Sequence, residues 1–410
     1  MALGKSYQLL QALNRPRGGF VRTALGWGGY LGALGVTGSP MLARELRDEL
    51  ARGEIKDGMR LAHWMARRGW PGLTLFDDPM FQFQTTLTDP VRAALLRFAR
   101  ARARRDASAE AWLDVLDVLA RNAHAALRRA HQADFELWLG EFEAEAAHVL
   151  ELLARPQAPA AQNKTSGETG KFSLADADAA LQDFAATMAG AERWFLISGT
   201  LLGVVREGGW LRHDVDIDVG IHAEACDFER LLGRLASTPQ FTVAAVHHQE
   251  VISREACRYA LQALPVMVKL VHRTGINLDV FIHHLDGDNR WHGSAMHRWG
   301  NSAFGLRRYS LAGMEVLGPA DADRYLTENY GNWQVPVTAF NGTIDTPNLE
   351  VARNLMSVSL MLRKLAFVGG VSGAAGWKIL DRLDEQGVIR KQGGGFCFNR
   401  EFLDGPAAPT

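Results

Sequence analysis

Apolar residues recur at three- and four-residue steps from position 41 to 155, in Ala-, Leu-, Glu- and Arg-rich stretches such as AEAWLDVLDVLARNAHAALRR. That period predicts helices, so residues 1–155 read as an all-helical N-terminal accessory region. The pattern stops at residues 156–171, PQAPAAQNKTSGETGK, which are poor in apolar residues and have the composition of an exposed linker. Ser173, with Asp176 three residues later, then predicts a helix cap, and Leu174, Ala177, Leu181, Phe184 and Met188 fall on one helical face. Trp194 to Ile197 reads as a short buried strand that ends at Ser198-Gly199-Thr200, where a helix through Leu201, Leu202 and Val205 begins. Glu207-Gly208-Gly209 turns the chain.

Beyond that turn the chain alternates strictly. Asp214, Asp216 and Asp218 are separated by Val215, Ile217 and Val219. In a strand this spacing puts three carboxylates on one face and three β-branched residues on the other, packed on a core. Three like charges in a row repel, and a divalent cation or a cluster of arginines would neutralise them. A later hairpin is predicted from Val266–His272, a turn at Thr274-Gly275 and a return strand, Ile276–His283, that carries Asp279. Asp345-Thr346-Pro347-Asn348 reads as a helix start before residues 349–367, and residues 377–402 read as a short helix and a turn into a strand.

Composition narrows the class. The 410 residues are 47% hydrophobic with a formal net charge of -1, which describes a folded chain with no global field to gather nucleic acid. Cys226, Cys257 and Cys397 have no metal-ligand spacing and are too few for a disulfide framework, so a reducing compartment and a cytoplasmic location are expected. The apolar stretch Ala24 to Val36 is short and glycine-rich, and a buried or interfacial segment is expected there in place of a membrane span. Arg92 to Arg105 holds six arginines and no acid. A solvated helix face paired with the acidic helix that follows is the preferred reading, over docking on phosphates of a lipid-linked glycan or on an anionic membrane surface. The adjacent pairs His247-His248 and His283-His284 point to opposite faces of a strand and read as structural.

A strand, a Ser-Gly-Thr helix start, an Asp-x-Asp strand and a further strand aspartate together make the arrangement of a nucleotidyltransferase fold. Carboxylates at i and i+2 lie about 7 Å apart along a strand, close enough to share one or two Mg²⁺ ions. The sequence resembles the LicD and fukutin group of phosphotransferases. The resemblance rests on Ser198-Gly199-Thr200-Leu201-Leu202-Gly203, Arg206, and His213-Asp214-x-Asp216-x-Asp218-x-Gly220. Asp279 and Tyr325-Leu326-x-x-x-Tyr330-Gly331-x-Trp333-x-x-Pro336 extend it, so it covers about residues 180 to 340. Position 213 is His where many members have Trp.

The resemblance implies an α+β fold, a nucleotidyltransferase-like mixed β-sheet core flanked by helices over residues 172–345; the apolar residues beyond it suggest a helical extension at 346–410 packed on that core. It implies transfer of a phosphocholine- or alditol-phosphate-type group from a CDP-linked donor to a sugar hydroxyl of a glycan or lipid-linked saccharide, with Mg²⁺, or Mn²⁺ in its place, as cofactor. Peripheral contact with the inner membrane face would suit such an acceptor, and nucleic acid is not an expected partner. Asp216 and Asp218 are the expected metal ligands, and Asp279 is a third ligand or the base for the acceptor hydroxyl. Asp214 could bind a second ion, orient the acceptor or be the base. Gly199 and Thr200 would present backbone N–H groups to phosphates, with Arg206 and Lys269 as further phosphate contacts. Each has a structural rival: a tight turn at Gly199, pairing of Arg206 with Glu207 or Asp214, and a plain strand position for Lys269. Tyr330 and Trp333 could line an acceptor pocket or pack a helix end capped by Gly331. The competing functions are a nucleotidyltransferase acting on a protein, RNA or small molecule, and a non-catalytic glycan-binding protein.

Overall fold

The computed structural model describes residues 89–155, 173–211, 214–337 and 340–405. The helices expected before residue 89, the stretch Ala24 to Val36, the linker 156–171 and His213 lie outside the described residues. The chain divides into two compact units, Met1–Leu152 and Leu153–Thr410.

The first unit shows α1 (Asp89–Asp106), α2 (Ala109–Arg128) and α3 (Gln132–Leu153). Ser108 caps α2 by accepting from the Ala111 N–H at 3.2 Å, which satisfies one of the four donors that a helix start leaves open. In α1, Arg100 pairs with Glu141 and Glu145 of α3, and Arg102 with Asp114 of α2. At these two positions the arginine run is an ion-paired helix face. No helix among the described residues is long and apolar enough to cross a membrane.

The second unit is mixed α+β. It opens with α4 (Leu174–Thr187), capped by Ser173 as expected, then β1 (Trp194–Leu196), α5 (Ser198–Glu207) and β2 (Asp216–His222). Next come α6 (Phe228–Ser237), β3 (Phe241–Glu255), β4 (Arg258–His272) and β5 (Asn277–Asp286). They are followed by β6 (Asn289–Gly293), β7 (Arg298–Ser302), β8 (Leu306–Leu311), β9 (Met314–Pro319) and α7 (Ala322–Tyr330). The tail adds β10 (Leu349–Glu350), α8 (Leu355–Phe367), α9 (Ala374–Glu385), β11 (Ile389–Gln392) and β12 (Gly395–Phe398).

Strand β5 organises the sheet. It pairs parallel with β2 on one side and antiparallel with β4 on the other, and its far end pairs with β6, which leads to β7 and β10. Seven consecutive β5 residues are buried, the pattern of a strand covered on both faces. One face carries Ile217, Val219 and Ile221 of β2 with Leu278, Val280 and Ile282 of β5, packed against Leu201, Phe184 and Leu231 from the three helices. At about 25 cal/mol per Å² of apolar surface removed from water, this layer holds the strands in register. The opposite face is left for chemistry.

Two details differ from the pattern expected of the sequence. The regular strand begins at Asp216, so Val215 is 50% exposed and does not join Ile217 and Val219 in the core. The helix expected after Asn348 starts later, because Leu349 and Glu350 pair with Trp299 and Arg298. Asn354 is the true cap: its side chain accepts from the Ser357 N–H at 2.7 Å and donates to the Glu250 carbonyl at 2.7 Å. A tertiary ladder overrides the local start signal there. The β4–β5 hairpin forms as expected, with Gly275 at φ 92° in its turn.

On α5, a Cβ at Gly203 would lie 2.5 Å from the Gly209 carbonyl oxygen and 3.0 Å from the Leu211 nitrogen. The chain returning toward Asp214 thus runs against the helix backbone. Gly203→Ala is expected to cost about 1–3 kcal/mol, read as a lower urea midpoint; an unchanged midpoint would show that this return segment is not held there.

On β5 and β6, the buried rings of His283 and His292 stack at a centroid distance of 4.4 Å. Burial pushes His292 down to about 3 and His283 well below the usual histidine range. The folded state keeps these rings neutral while the unfolded chain takes up protons near pH 6.5. Their stability is therefore complete above that value and is lost as pH falls. Compared with His292→Gln, the natural chain is expected to lose on the order of 2 kcal/mol more between pH 6.5 and pH 5, measured by urea unfolding at both values.

Candidate active site

Cross-strand register assembles the site. Asp218 of β2 stands opposite Asp279 of β5, and Asp279 stands opposite Lys269 of β4. Side chains directly opposite one another share a face, so these three form one row across the sheet, with Asp216 on the same face two residues before Asp218. One oxygen from each of Asp216, Asp218 and Asp279 lies within 4.8 Å of the others. The Lys269 ammonium donates to Asp279 Oδ2, while Asp279 Oδ1 is buried with no hydrogen-bond partner.

The start of α5 braces this row. The Asp218 N–H donates to Thr200 Oγ1 at 2.9 Å and the Ile197 N–H donates to the Asp218 carbonyl at 3.3 Å. Thr200, expected as a phosphate contact through its backbone, thus uses its buried side chain to fix Asp218. Ser198 sits at φ 47°, an uncommon conformation for a residue with a Cβ, where β1 turns abruptly into the helix. An ideal Cβ on Gly199 would come within 3.3 Å of Asp214 Oδ2, so the glycine leaves room for that carboxylate. Asp214 itself precedes the strand; its N–H donates to the Leu211 carbonyl at 3.2 Å, and its Oδ2 is buried without a partner.

The electrostatics result from this crowding. Burial, and then Asp216, push the Asp214 carboxyl up to about 7. Asp216 is raised by burial and then by Asp279, against the pull of Lys269. Asp218 lies well above the usual carboxylate range through burial first, then Asp216, Asp279 and Asp214. Burial and the neighbouring carboxylates disfavour the charged form, and Lys269 opposes them.

The carboxylates open onto a pocket of about 240 Å³ whose other walls are Ser198, Phe281, His292, Trp299, Asn329, Tyr330 and Phe340. Beside it lies an apolar alcove of about 150 Å³ lined by Leu202, Leu211, Trp333, Val335 and Val337, and Tyr330 and Phe340 face both spaces. Arg206 lines the alcove and not the acidic pocket: its Nε pairs with Glu207 at 2.9 Å and its Nη1 donates to the Trp333 carbonyl at 3.1 Å. Lys269 is not a plain strand residue: its ammonium sits on Asp279, while its side chain keeps 39% of its surface exposed. Gly331, at φ 67°, ends α7 and places Tyr330 in the wall. Sequence reasoning missed Phe281, His292, Trp299 and Phe340. His292 and Trp299 meet only through the β6–β7 register, where they stand opposite each other, and no local motif marks them.

A hard cation suits these residues. Asp216, Asp218 and Asp279 would hold it, since one carboxylate oxygen from each lies within 4.8 Å of the others. Asp279 Oδ1, buried and without a partner, is an oxygen of the kind such an ion satisfies. Among the described residues, the three cysteines are free and stand apart from this site.

A carboxylate held at a raised pKa in the fold contributes stability at low pH and loses it as pH rises. Asp218→Asn is therefore expected to melt at a higher temperature than the natural chain in EDTA at pH 7.5, with the gap closing toward pH 4. Identical melting curves at pH 7.5 would mean that the carboxylates do not repel one another as placed.

Comparison with known proteins agrees with this geometry. An uncharacterized protein of Rickettsia typhi is 28% identical over 151 residues, which cover 34% of this chain and 40% of that protein. The chain thus spans well under half of that relative's length. The model of a family described as LicD/FKTN/FKRP, nucleotidyltransferase domain, matches residues 191–321, the stretch that holds β1, α5 and all four aspartates. Over that stretch the chain is similar to the LicD/FKTN/FKRP family.

Proposed function

We propose that this chain is a divalent-cation-dependent transferase that moves a substituted phosphate, of the phosphocholine or alditol-phosphate type, from a CDP-activated donor to a sugar hydroxyl of a cell-surface glycan. One observation carries the reading: Asp216, Asp218 and Asp279 bring oxygens within 4.8 Å of one another in a pocket whose remaining walls are largely aromatic. Carboxylates suit a hard cation, and aromatic faces suit sugar rings and nucleobases.

Asp216, Asp218 and Asp279 would hold Mg²⁺ or Mn²⁺. When bound, such an ion neutralises the donor diphosphate and stabilises charge on the leaving oxygen. The first-turn N–H groups of α5, at Ser198, Gly199 and Thr200, have no intrahelical acceptors and offer a second contact for phosphate oxygens. In the reaction, the sugar hydroxyl oxygen forms a bond to the substituted phosphorus. The bond from that phosphorus to the bridging oxygen breaks, and CMP leaves. Asp279 is poorly placed as base, because one of its oxygens is taken by Lys269. Asp214 stands outside the cation-binding trio with a buried oxygen that has no partner, and we assign it the acceptor's proton. Trp299, Tyr330 and Phe340 would position the acceptor, and the alcove beside them an apolar portion of either substrate.

The test is incubation with Mg²⁺ and a panel of CDP-choline, CDP-alditols, CTP and ATP. Release of CMP from a CDP-linked donor is the expected result; pyrophosphate from CTP or ATP would instead support nucleotidyl transfer, and no turnover with any donor would favour a binding role. Asp216→Asn and Asp218→Asn are each expected to lower kcat by about 10³ or more, while Asp214→Asn lowers kcat with Mn²⁺ binding retained.

A further inference from the structure

Lys269 has no assigned part in the chemistry, and its placement is not that of a phosphate ligand. Its ammonium is spent on Asp279 Oδ2. That carboxylate belongs to the trio, is almost wholly buried, and has its other oxygen left without a hydrogen-bond partner. The pairing is set by the backbone, because Lys269 and Asp279 are direct cross-strand partners within a continuous five-residue β4–β5 ladder. The register already sets the two residues side by side, so the pairing costs only the rotamer freedom of the lysine stem. Without it, three carboxylates would face one another with no positive group among the residues that line the pocket.

We propose that Lys269 is a resident counter-ion of the cation site. It splits the Asp279 carboxylate between two duties, holding Oδ2 itself and leaving Oδ1 for the cation, and it keeps the trio assembled when no cation is bound. It acts through Asp279 and is a positioning residue. One positive charge against three negative ones leaves a deficit of two, which a single divalent cation completes. A second cation would then depend on the donor's own phosphates for its charge balance. This inference rests on the cation-binding reading above, and the experiment separates the two.

The full-length chain and Lys269→Met, which keeps most of the stem but removes the charge, are compared by thermal unfolding in EDTA and in saturating Mn²⁺, and by Mn²⁺ titration followed by electron paramagnetic resonance. In EDTA, Lys269→Met is expected to melt roughly 4 °C lower, and Mn²⁺ is expected to raise its midpoint by more than it raises that of the natural chain. Removing a like charge next to the cation is expected to tighten Mn²⁺ binding by roughly tenfold. Lys269→Arg, which keeps the charge, should behave as the natural chain. Equal Mn²⁺ affinity and equal upshifts in Lys269→Met and the natural chain would overturn the counter-ion role while leaving the cation site standing. Absence of Mn²⁺ binding in both would overturn the cation site and this inference with it. Should Lys269→Met not fold in EDTA, Lys269→Gln is measured by the same two readouts.

Discussion

The site depends on one constraint, the register of β2, β5 and β4, which sets Asp218, Asp279 and Lys269 side by side. A shift of one residue in either pairing would send an acid to the core face and a branched aliphatic to the pocket. The apolar side of the same strands prevents this: Ile217 and Val219 of β2 and Leu278 and Val280 of β5 are fully buried. Hydrophobic burial on one face is thus what holds mutually repelling carboxylates together on the other. Neither face makes sense alone, because the packing would tolerate many polar residues opposite it, whereas the acids would not cluster without the packing.

Bracing from outside the sheet is local and polar. Thr200 takes the Asp218 N–H, and Gly199 and Gly203 let Asp214 and the returning chain approach the helix. The α5 start is therefore tied to the acidic strand at both its backbone and its side chains. A helix N-terminus pointed at the same space as three carboxylates puts partial positive charge where a phosphate would meet a cation. The abrupt strand-to-helix turn at Ser198 is what allows that helix to begin beside Asp218 and not beyond it.

The strictly periodic parts of this fold were legible in the sequence. Strand β1, the start of α5, the alternation from Asp216 through Val219 and the β4–β5 hairpin follow from apolar patterning and turn residues alone. The family stretch, too, could be recognised from the residues between Ser198 and Gly220. The parts that could not be read were set by distant pairing. Strand β10 forms because β7 offers an edge, and the cap moves to Asn354 because Glu250 offers a carbonyl. The aromatic wall is of the same kind: Trp299 and His292 are brought together by strand pairing, and Phe340 by the loop after α7. Arg206 was legible as a charge near the motif but not as one that ties down the Trp333 carbonyl, a contact across 127 positions of chain.

These placements bear on how an anionic substrate could enter at all. Among the described residues, the acidic pocket is lined by three aspartates and by no arginine or lysine. The nearby guanidinium groups are committed elsewhere: Arg206 to Glu207 and the Trp333 carbonyl, Arg290 to Glu224 and the His283 carbonyl, and Arg298 to Asp286 and Glu350. Lys269 already balances Asp279. A diphosphate brought against such a surface meets net negative charge in a space of low dielectric, where repulsion is far stronger than in water. Among the described residues, the positive features still open to it are the N–H groups of α5, worth about half a charge together. An enzyme that gripped phosphate with arginines could turn over slowly without metal. With these guanidinium groups used for scaffolding among the described residues, the function proposed above makes cation binding the expected condition for substrate binding as well as for chemistry.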